Sequence, residues 1–222
     1  MKKKFDAVIF DLDGTLLDSL DDLADSVNEM LLGRGYKLRT VDEVRDLVGN
    51  GASRLIELCV PDGKDNPEFE KCLLEFKDQY KKNMHNKTTP YTGIPELLSE
   101  LVDLGIKMAV VSNKGDSAVK KMRERYFDQF IKVAVGESDK LRKKPAPDSV
   151  YVALEQMDAV LGHTLYVGDS EVDVQTARNA GLPCVAVTWG FRDRALLEKE
   201  GADWIIDSPQ ELIDILEKKK RH

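Results

Sequence analysis

The sequence predicts an α/β fold: a parallel sheet with helices on both faces, interrupted just after its first strand by a block of about four helices. Three observations carry this. Short apolar runs alternate with helical stripes from residue 95 to the end of the chain, the rhythm of a parallel sheet with crossover helices. The first run, Ala7-Val8-Ile9-Phe10, is continuously apolar, as suits a strand covered on both faces. Between residues 18 and 85 no segment reads as a strand, while apolar residues recur at helical spacing.

The elements follow in order. Leu20, Leu23, Ala24, Val27, Met30 and Leu31 share one helical face, and Gly33 and Gly35 end that helix. Thr40 with Glu43 forms a capping box that opens a second helix reaching Val48. Gly49-Asn50-Gly51 is a break, and residues 54–59 form a short third helix. Phe69, Cys72, Leu73, Phe76, Tyr80 and Met84 make the stripe of a fourth. Residues 95–104 are a helix with Pro in its first turn and Gly105 at its end. Strands are expected at 108–111, 131–135, 165–167, 184–187 and 204–206. Helices are expected at 117–126, 147–157, 172–180, 194–200 and 209–218, with a solvated basic tail at 218–221.

Composition narrows the function. Lys and Arg number 33 against 40 Asp and Glu, a formal net charge of −7, which argues against nucleic acid or an anionic membrane as partner. A bound cation inverts the sign locally, so anionic substrates stay open. No apolar run approaches the length that spans a bilayer. The basic start at 1–4 leads into an apolar run too short for a signal sequence. Cys59, Cys72 and Cys184 lack metal-ligand spacing and read as buried thiols of a cytoplasmic protein.

Polar clusters stand at the carboxyl ends of four predicted strands: Asp11 with Asp13, Ser112 with Asn113, Lys144, and Asp169 with Asp173. In extended chain, residues two apart face the same way, so Asp11 and Asp13 can enter one pocket. Two close carboxylates repel unless a cation lies between them, and all-oxygen donors favour magnesium over zinc. Asp169 and Asp173, four apart at a helix start, also share a face. Taken singly, each Asp could cap a turn, Ser112 could be a turn hydroxyl, and Lys144 could be solvated before Pro145. As a set they point to one site for a phosphate, whose charge calls for a cation besides the metal. Gly168-Asp169-Ser170 opens a helix whose amides favour anions. No GxxxxGK[ST] sequence is present, and His85, His163 and His222 lie outside the clusters. Nucleoside triphosphate and Ser/His/Asp chemistry are therefore disfavoured.

Together these residues resemble the haloacid dehalogenase superfamily in its phosphatase branch. Asp11-Leu12-Asp13-Gly14-Thr15 is similar to the DxDGT motif, Ser112 to the second motif and Lys144 to the third. Gly168-Asp169-Ser170-Glu171-Val172-Asp173 is similar to the fourth, GDxxxD. The resemblance implies a Rossmann-like catalytic core of residues 1–17 and 87–222. It also implies an inserted four-helix cap, 18–86, that selects substrate and acts as a lid. Asp11 would be the nucleophile that forms an aspartyl-phosphate, and Asp13 the acid and then the base. Mg²⁺ would be held by Asp11, Asp169 and the backbone carbonyl of Asp13, with Asp173 orienting a metal-bound water or Lys144. Ser112, Lys144 and amides near Leu12 and Asn113 would bind phosphoryl oxygens.

A carboxylate at Asp13 argues against a dehalogenase. Leu23 stands where phosphoglucomutase relatives carry a histidine, which argues against a mutase. Val48-Gly49-Asn50-Gly51, Ser112-Asn113-Lys114 and Lys144-Pro145-Ala146-Pro147 resemble bacterial phosphoglycolate phosphatases. So do Val167-Gly168-Asp169-Ser170 and Val187-Thr188-Trp189-Gly190, although related pyrophosphatases share several of these stretches. The expected partner is a small phosphorylated metabolite, 2-phosphoglycolate first. Pyrophosphate and sugar or nucleotide monophosphates are the alternatives. Asn50, Gly51 and Arg54 are candidate cap contacts. A cytoplasmic monomer or homodimer is expected, with no membrane or nucleic acid partner.

Overall fold

The computed structural model describes residues 5–217; the basic start at 1–4 and the tail at 218–222 lie outside them. The chain opens with β1 (Ala7–Phe10) and β2 (Leu17–Asp18). It then enters four helices, α1 (Leu20–Gly33), α2 (Val41–Leu47), α3 (Ala52–Cys59) and α4 (Phe69–Asn83). It returns through β3 (Thr89–Pro90) into α5 (Ile94–Asp103), β4 (Lys107–Gly115), α6 (Asp116–Phe127) and β5 (Val133–Glu137). It ends with α7 (Asp148–Met157), β6 (Thr164–Gly168), α8 (Glu171–Ala180), β7 (Cys184–Val187), α9 (Arg194–Glu200), β8 (Trp204–Ile206) and α10 (Glu211–Glu217). None of these helices is long and apolar enough to cross a membrane.

Six strands form one parallel sheet in the order β5-β4-β1-β6-β7-β8. Phe10 lies beside Val110 on one side and Val167 on the other, so β1 and β6 end within a residue of each other while β4 runs on to Gly115. The chain leaves β1 toward β4 and β5, then resumes on the opposite flank at β6. That reversal opens the crevice in which open α/β sheets bind ligands. Both sheet faces are buried. Val8 and Phe10 join one apolar cluster, Ala7 and Ile9 another. The first cluster continues through Leu12, Leu16 and Leu17 into Leu23, Val27 and Phe76, so the inserted helices share its core.

Local chemistry explains most boundaries. Thr40 and Glu43 make the reciprocal capping bonds at the start of α2. Gly181 ends α8 in the left-handed conformation. All three cysteines are free and buried.

Four expectations are corrected. Strands do occur beside the inserted block: β2 and β3 pair antiparallel across the two crossings. Two-residue strands carry no periodicity, and their partners are far apart in sequence. β4 runs past Val111, so Ser112 and Asn113 lie within a strand rather than after one. Pairing resumes at Gly115 with Glu137 after a shift of register, and so the neighbouring strand, not side-chain pattern, extends it. β5 starts two residues later than its apolar run indicated, and the last helix starts at Glu211, not at Pro209.

Candidate active site

The site begins where β1 ends. The Asp11 amide donates to the Val167 carbonyl at 2.8 Å, extending the ladder one residue and fixing the Asp11 backbone. The Leu12 carbonyl then accepts from Leu16 and Leu17, at 3.0 and 2.9 Å, and closes a tight loop. Gly14 sits in that loop at φ +89°, and a Cβ there would lie 2.3 Å from Asp169 Oδ2. Only glycine allows this approach. Thr15 Oγ1 donates to Asp169 Oδ1 at 3.0 Å, and the Phe191 amide to Oδ2 at 2.8 Å. Asp169 is thus held from two sides.

Lys144 lies beneath Asp11. Its Nζ is 2.7 Å from Asp11 Oδ1, 2.8 Å from Asp173 Oδ1 and 3.1 Å from the Tyr166 hydroxyl. Those three partners occupy the three donors of an ammonium. Asp173 Oδ2 accepts from the amide and hydroxyl of Ser170, so both its oxygens are engaged. Burial alone would pull the Lys144 pKa down, but Asp11 and Asp173 outweigh it and the net shift is upward. Burial pushes Asp11 well up, opposed by Lys144 and reinforced by Asp173 and Asp169. Burial and then Asp173 raise Asp169 to about 7.

These carboxylates fit a divalent cation. Asp11, Asp169 and Asp173 offer oxygens within 4.8 Å of one another, all buried. Among the described residues, Asp11, Asp13, Asp169 and Asp173 pair only with Lys144 and Lys114, so full ionisation of the four would leave two negative charges uncompensated. Asp173 Oδ1 faces the Lys144 ammonium and Oδ2 takes two bonds from Ser170, whereas Asp169 accepts one bond from a neutral donor on each oxygen, so Asp11 and Asp169 are the better donors. All-oxygen donors at a doubly negative site suit magnesium.

Asp13 has a partner that spacing did not reveal. Its Oδ1 accepts from Ser19 Oγ and lies 2.9 Å from Lys114 Nζ. Lys114 also donates to the Tyr80 hydroxyl on α4. Tyr80 lies in the apolar stripe that marked the fourth helix, and Lys114 in a strand end read only as a likeness, so neither carried a signal of contact.

A cavity of about 740 Å³ opens between the sheet edge and the inserted helices. Asp11, Asp13, Ser112, Asn113, Lys144 and Asp169 line it from the sheet side. Leu23, Gly51, Phe76 and Tyr80 line it from the helical side. Ser112 is buried, and its Oγ accepts from the Lys114 amide. Asn113 Nδ2 donates to the Gly49 and Lys144 carbonyls, and Oδ1 accepts from the Lys144 amide. Gly51, at φ +82°, packs where a Cβ would stand 3.1 Å from the Asn113 carbonyl. Asn50 contributes a carbonyl to Lys143 Nζ at 3.1 Å and does not line the cavity. Arg54 pairs with Glu57, is about half exposed, and also stays outside the lining. The side chain is drawn away by its own helix, an i,i+3 pairing that competes with any ligand.

A clasp joins the two sides. Arg192, just after β7, donates Nε to Glu171 at 2.9 Å. Its Nη1 and Nη2 donate to the carbonyls of Arg45 and Val48, at 2.9 and 2.7 Å, at the end of α2. Nothing in the local sequence marked Arg192.

A family model described as haloacid dehalogenase-like hydrolase matches residues 8–187. A phosphoglycolate phosphatase of Pseudomonas fluorescens is 34% identical over 212 residues, 93% of this chain and 78% of the relative. An N-acetylmuramic acid 6-phosphate phosphatase of Pseudomonas aeruginosa is 34% identical over 221 residues, 98% of this chain and 97% of the relative. Among solved structures, a Lactobacillus delbrueckii subsp. bulgaricus protein, provisionally named a phosphoglycolate phosphatase, superposes with a TM-score of 0.90. It is 34% identical, and the match covers 97% of this chain and 100% of that one.

Proposed function

Because the chain belongs to the haloacid dehalogenase-like hydrolase family and is one of its phosphatases, we propose that it hydrolyses a small phosphate monoester with Mg²⁺, 2-phosphoglycolate first. One observation supports this above all. Asp11 gives one carboxylate oxygen to Lys144 and keeps Oδ2 free of protein partners among the described residues, at the wall of the cavity.

Asp11 Oδ2 attacks phosphorus in line with the ester oxygen and forms an acyl phosphate. Asp13, two residues on, donates a proton to the departing oxygen, then takes one from the water that cleaves the intermediate. The Ser112 hydroxyl and the amides of Leu12 and Asn113 receive the phosphoryl oxygens, and the Lys144 ammonium beside Asp11 supplies positive charge next to them. Asp173 fixes Lys144. Asp11, Asp169 and the Asp13 carbonyl would hold Mg²⁺, which would supply charge neutralisation for phosphoryl transfer. The helices of 18–86 form the lid that excludes water during the first step, over a core of 1–17 and 87–222.

A second reading, a sugar phosphate as substrate, draws on the cavity of about 740 Å³, which exceeds what glycolate fills. The relative acting on N-acetylmuramic acid 6-phosphate supports it. Phosphate release with Mg²⁺, each arm with an EDTA control, separates the two. The panel is 2-phosphoglycolate, N-acetylmuramic acid 6-phosphate, glucose 6-phosphate, pyrophosphate, AMP and p-nitrophenyl phosphate. A kcat/KM for 2-phosphoglycolate that stands orders of magnitude above the rest upholds the first reading. Preference for either sugar phosphate moves the assignment to the second, and no release from any ester removes both.

A further inference from the structure

We propose that Lys114 and Tyr80 form the subsite for the leaving group, and that this subsite takes a carboxylate carried one carbon from the ester oxygen. The inference rests on the phosphatase reading above and adds the residues that choose among esters.

Position comes first. Asp13 is the group set to reach the ester oxygen, and Lys114 Nζ lies 2.9 Å from Asp13 Oδ1. A group bonded next to the ester carbon would then come within reach of Lys114. Donor count comes second. Lys144 and Lys114 both line the cavity. The three donors of Lys144 are taken by Asp11, Asp173 and Tyr166. Lys114 has two partners among the described residues, Asp13 and the Tyr80 hydroxyl, so one of its three N–H bonds is available. Tyr80 accepts from Lys114, which leaves its own proton for a further acceptor. One spare ammonium N–H and one spare hydroxyl proton, side by side, match the two oxygens of a carboxylate.

Charge comes third. The Lys114 side chain is only 8% exposed, so a charge-assisted bond there is weakly screened. Because Tyr80 stands on α4 and Lys114 on β4, the subsite is complete only with the inserted helices seated on the sheet.

The test compares two esters of similar size, 2-phosphoglycolate and ethyl phosphate, which lacks the carboxylate. It measures kcat and KM with Mg²⁺ for the unaltered protein, Lys114→Met and Tyr80→Phe. Loss of Lys114 is expected to lower the 2-phosphoglycolate to ethyl phosphate ratio of kcat/KM by about tenfold or more, chiefly through KM for 2-phosphoglycolate. Tyr80→Phe, which removes one hydroxyl, is expected to lower it by a smaller factor. Glycolate should also inhibit p-nitrophenyl phosphate hydrolysis competitively and lose potency in both variants. A ratio that stays at its original value while both esters slow alike would overturn the subsite and leave the phosphatase reading standing. No phosphate from either ester with the unaltered protein would overturn both.

Discussion

Asp169 carries a proton affinity that makes metal binding visible in stability. Burial and Asp173 raise its pKa from 3.8 to about 7, against the pull of the Phe191 amide and Thr15. Between those values the folded protein binds the proton more tightly than the unfolded chain, so stability falls as pH rises through the window. Asp11 is shifted the same way. Lys144 is shifted upward from 10.5, and its stabilisation is lost only above that value. In EDTA the melting temperature is therefore expected to drop between about pH 5 and about pH 8, and Mg²⁺ should raise it most at the higher pH. Calorimetry at both pH values checks this; a melting temperature in EDTA that rises over that span would contradict it. Asp11→Asn keeps size but removes the proposed nucleophile, and phosphate release should cease. Asp13→Asn should slow turnover by about 10²- to 10⁴-fold, the usual worth of a positioned acid and base. Asp11, Asp13, Ser112, Asn113, Lys144 and Asp169 were legible as one group because each stands beyond an apolar run and the sheet brings those runs together, and Asp173 joins them through Lys144. Lys114 and Arg192 were not, because their roles lie in contacts across the cavity: Tyr80 is 34 residues from Lys114, and Val48 is 144 from Arg192.

At the scale of elements, α2 depends on two different kinds of cap. Its start is closed by its own Thr40 and Glu43. Thr40→Ala should cost about 1 kcal/mol, read from the denaturant midpoint. Its end is closed from outside, by Arg192 reaching the Arg45 and Val48 carbonyls. Arg192→Ala should therefore speed amide hydrogen exchange in α2 and residues 48–51 while leaving the sheet protected. Equal exchange in both proteins would show that the clasp does not hold the helix. The first cap is local, which is why sequence displayed it. The amphipathic helices were legible for the same reason, since a 3.6-residue period needs no knowledge of partners. β2, β3 and the far half of β4 were hidden, because each is a strand only by virtue of what lies next to it.

Across the whole molecule, β1 is the keystone of the sheet. It pairs on both sides, and its four side chains are almost completely buried in two separate clusters. Ile9→Ala should cost about 2–5 kcal/mol by urea unfolding, from lost burial and the cavity left behind. The strand order itself was not readable, because apolar runs say that strands are buried but not which neighbours they choose. One junction governs the outline of the molecule. Leu17 and Asp18 lie against Pro90 and Thr89, so the outgoing and returning chains cross side by side, tied by hydrogen bonds. Everything between those crossings is a cassette on a fixed socket. Its length can change without moving the two crossings, provided the apolar face that meets Leu12, Leu16 and Leu17 is kept. On the reading proposed above, exchanging the cassette would change the preference among esters, while Asp11, Asp13 and Asp169 keep their register on the sheet.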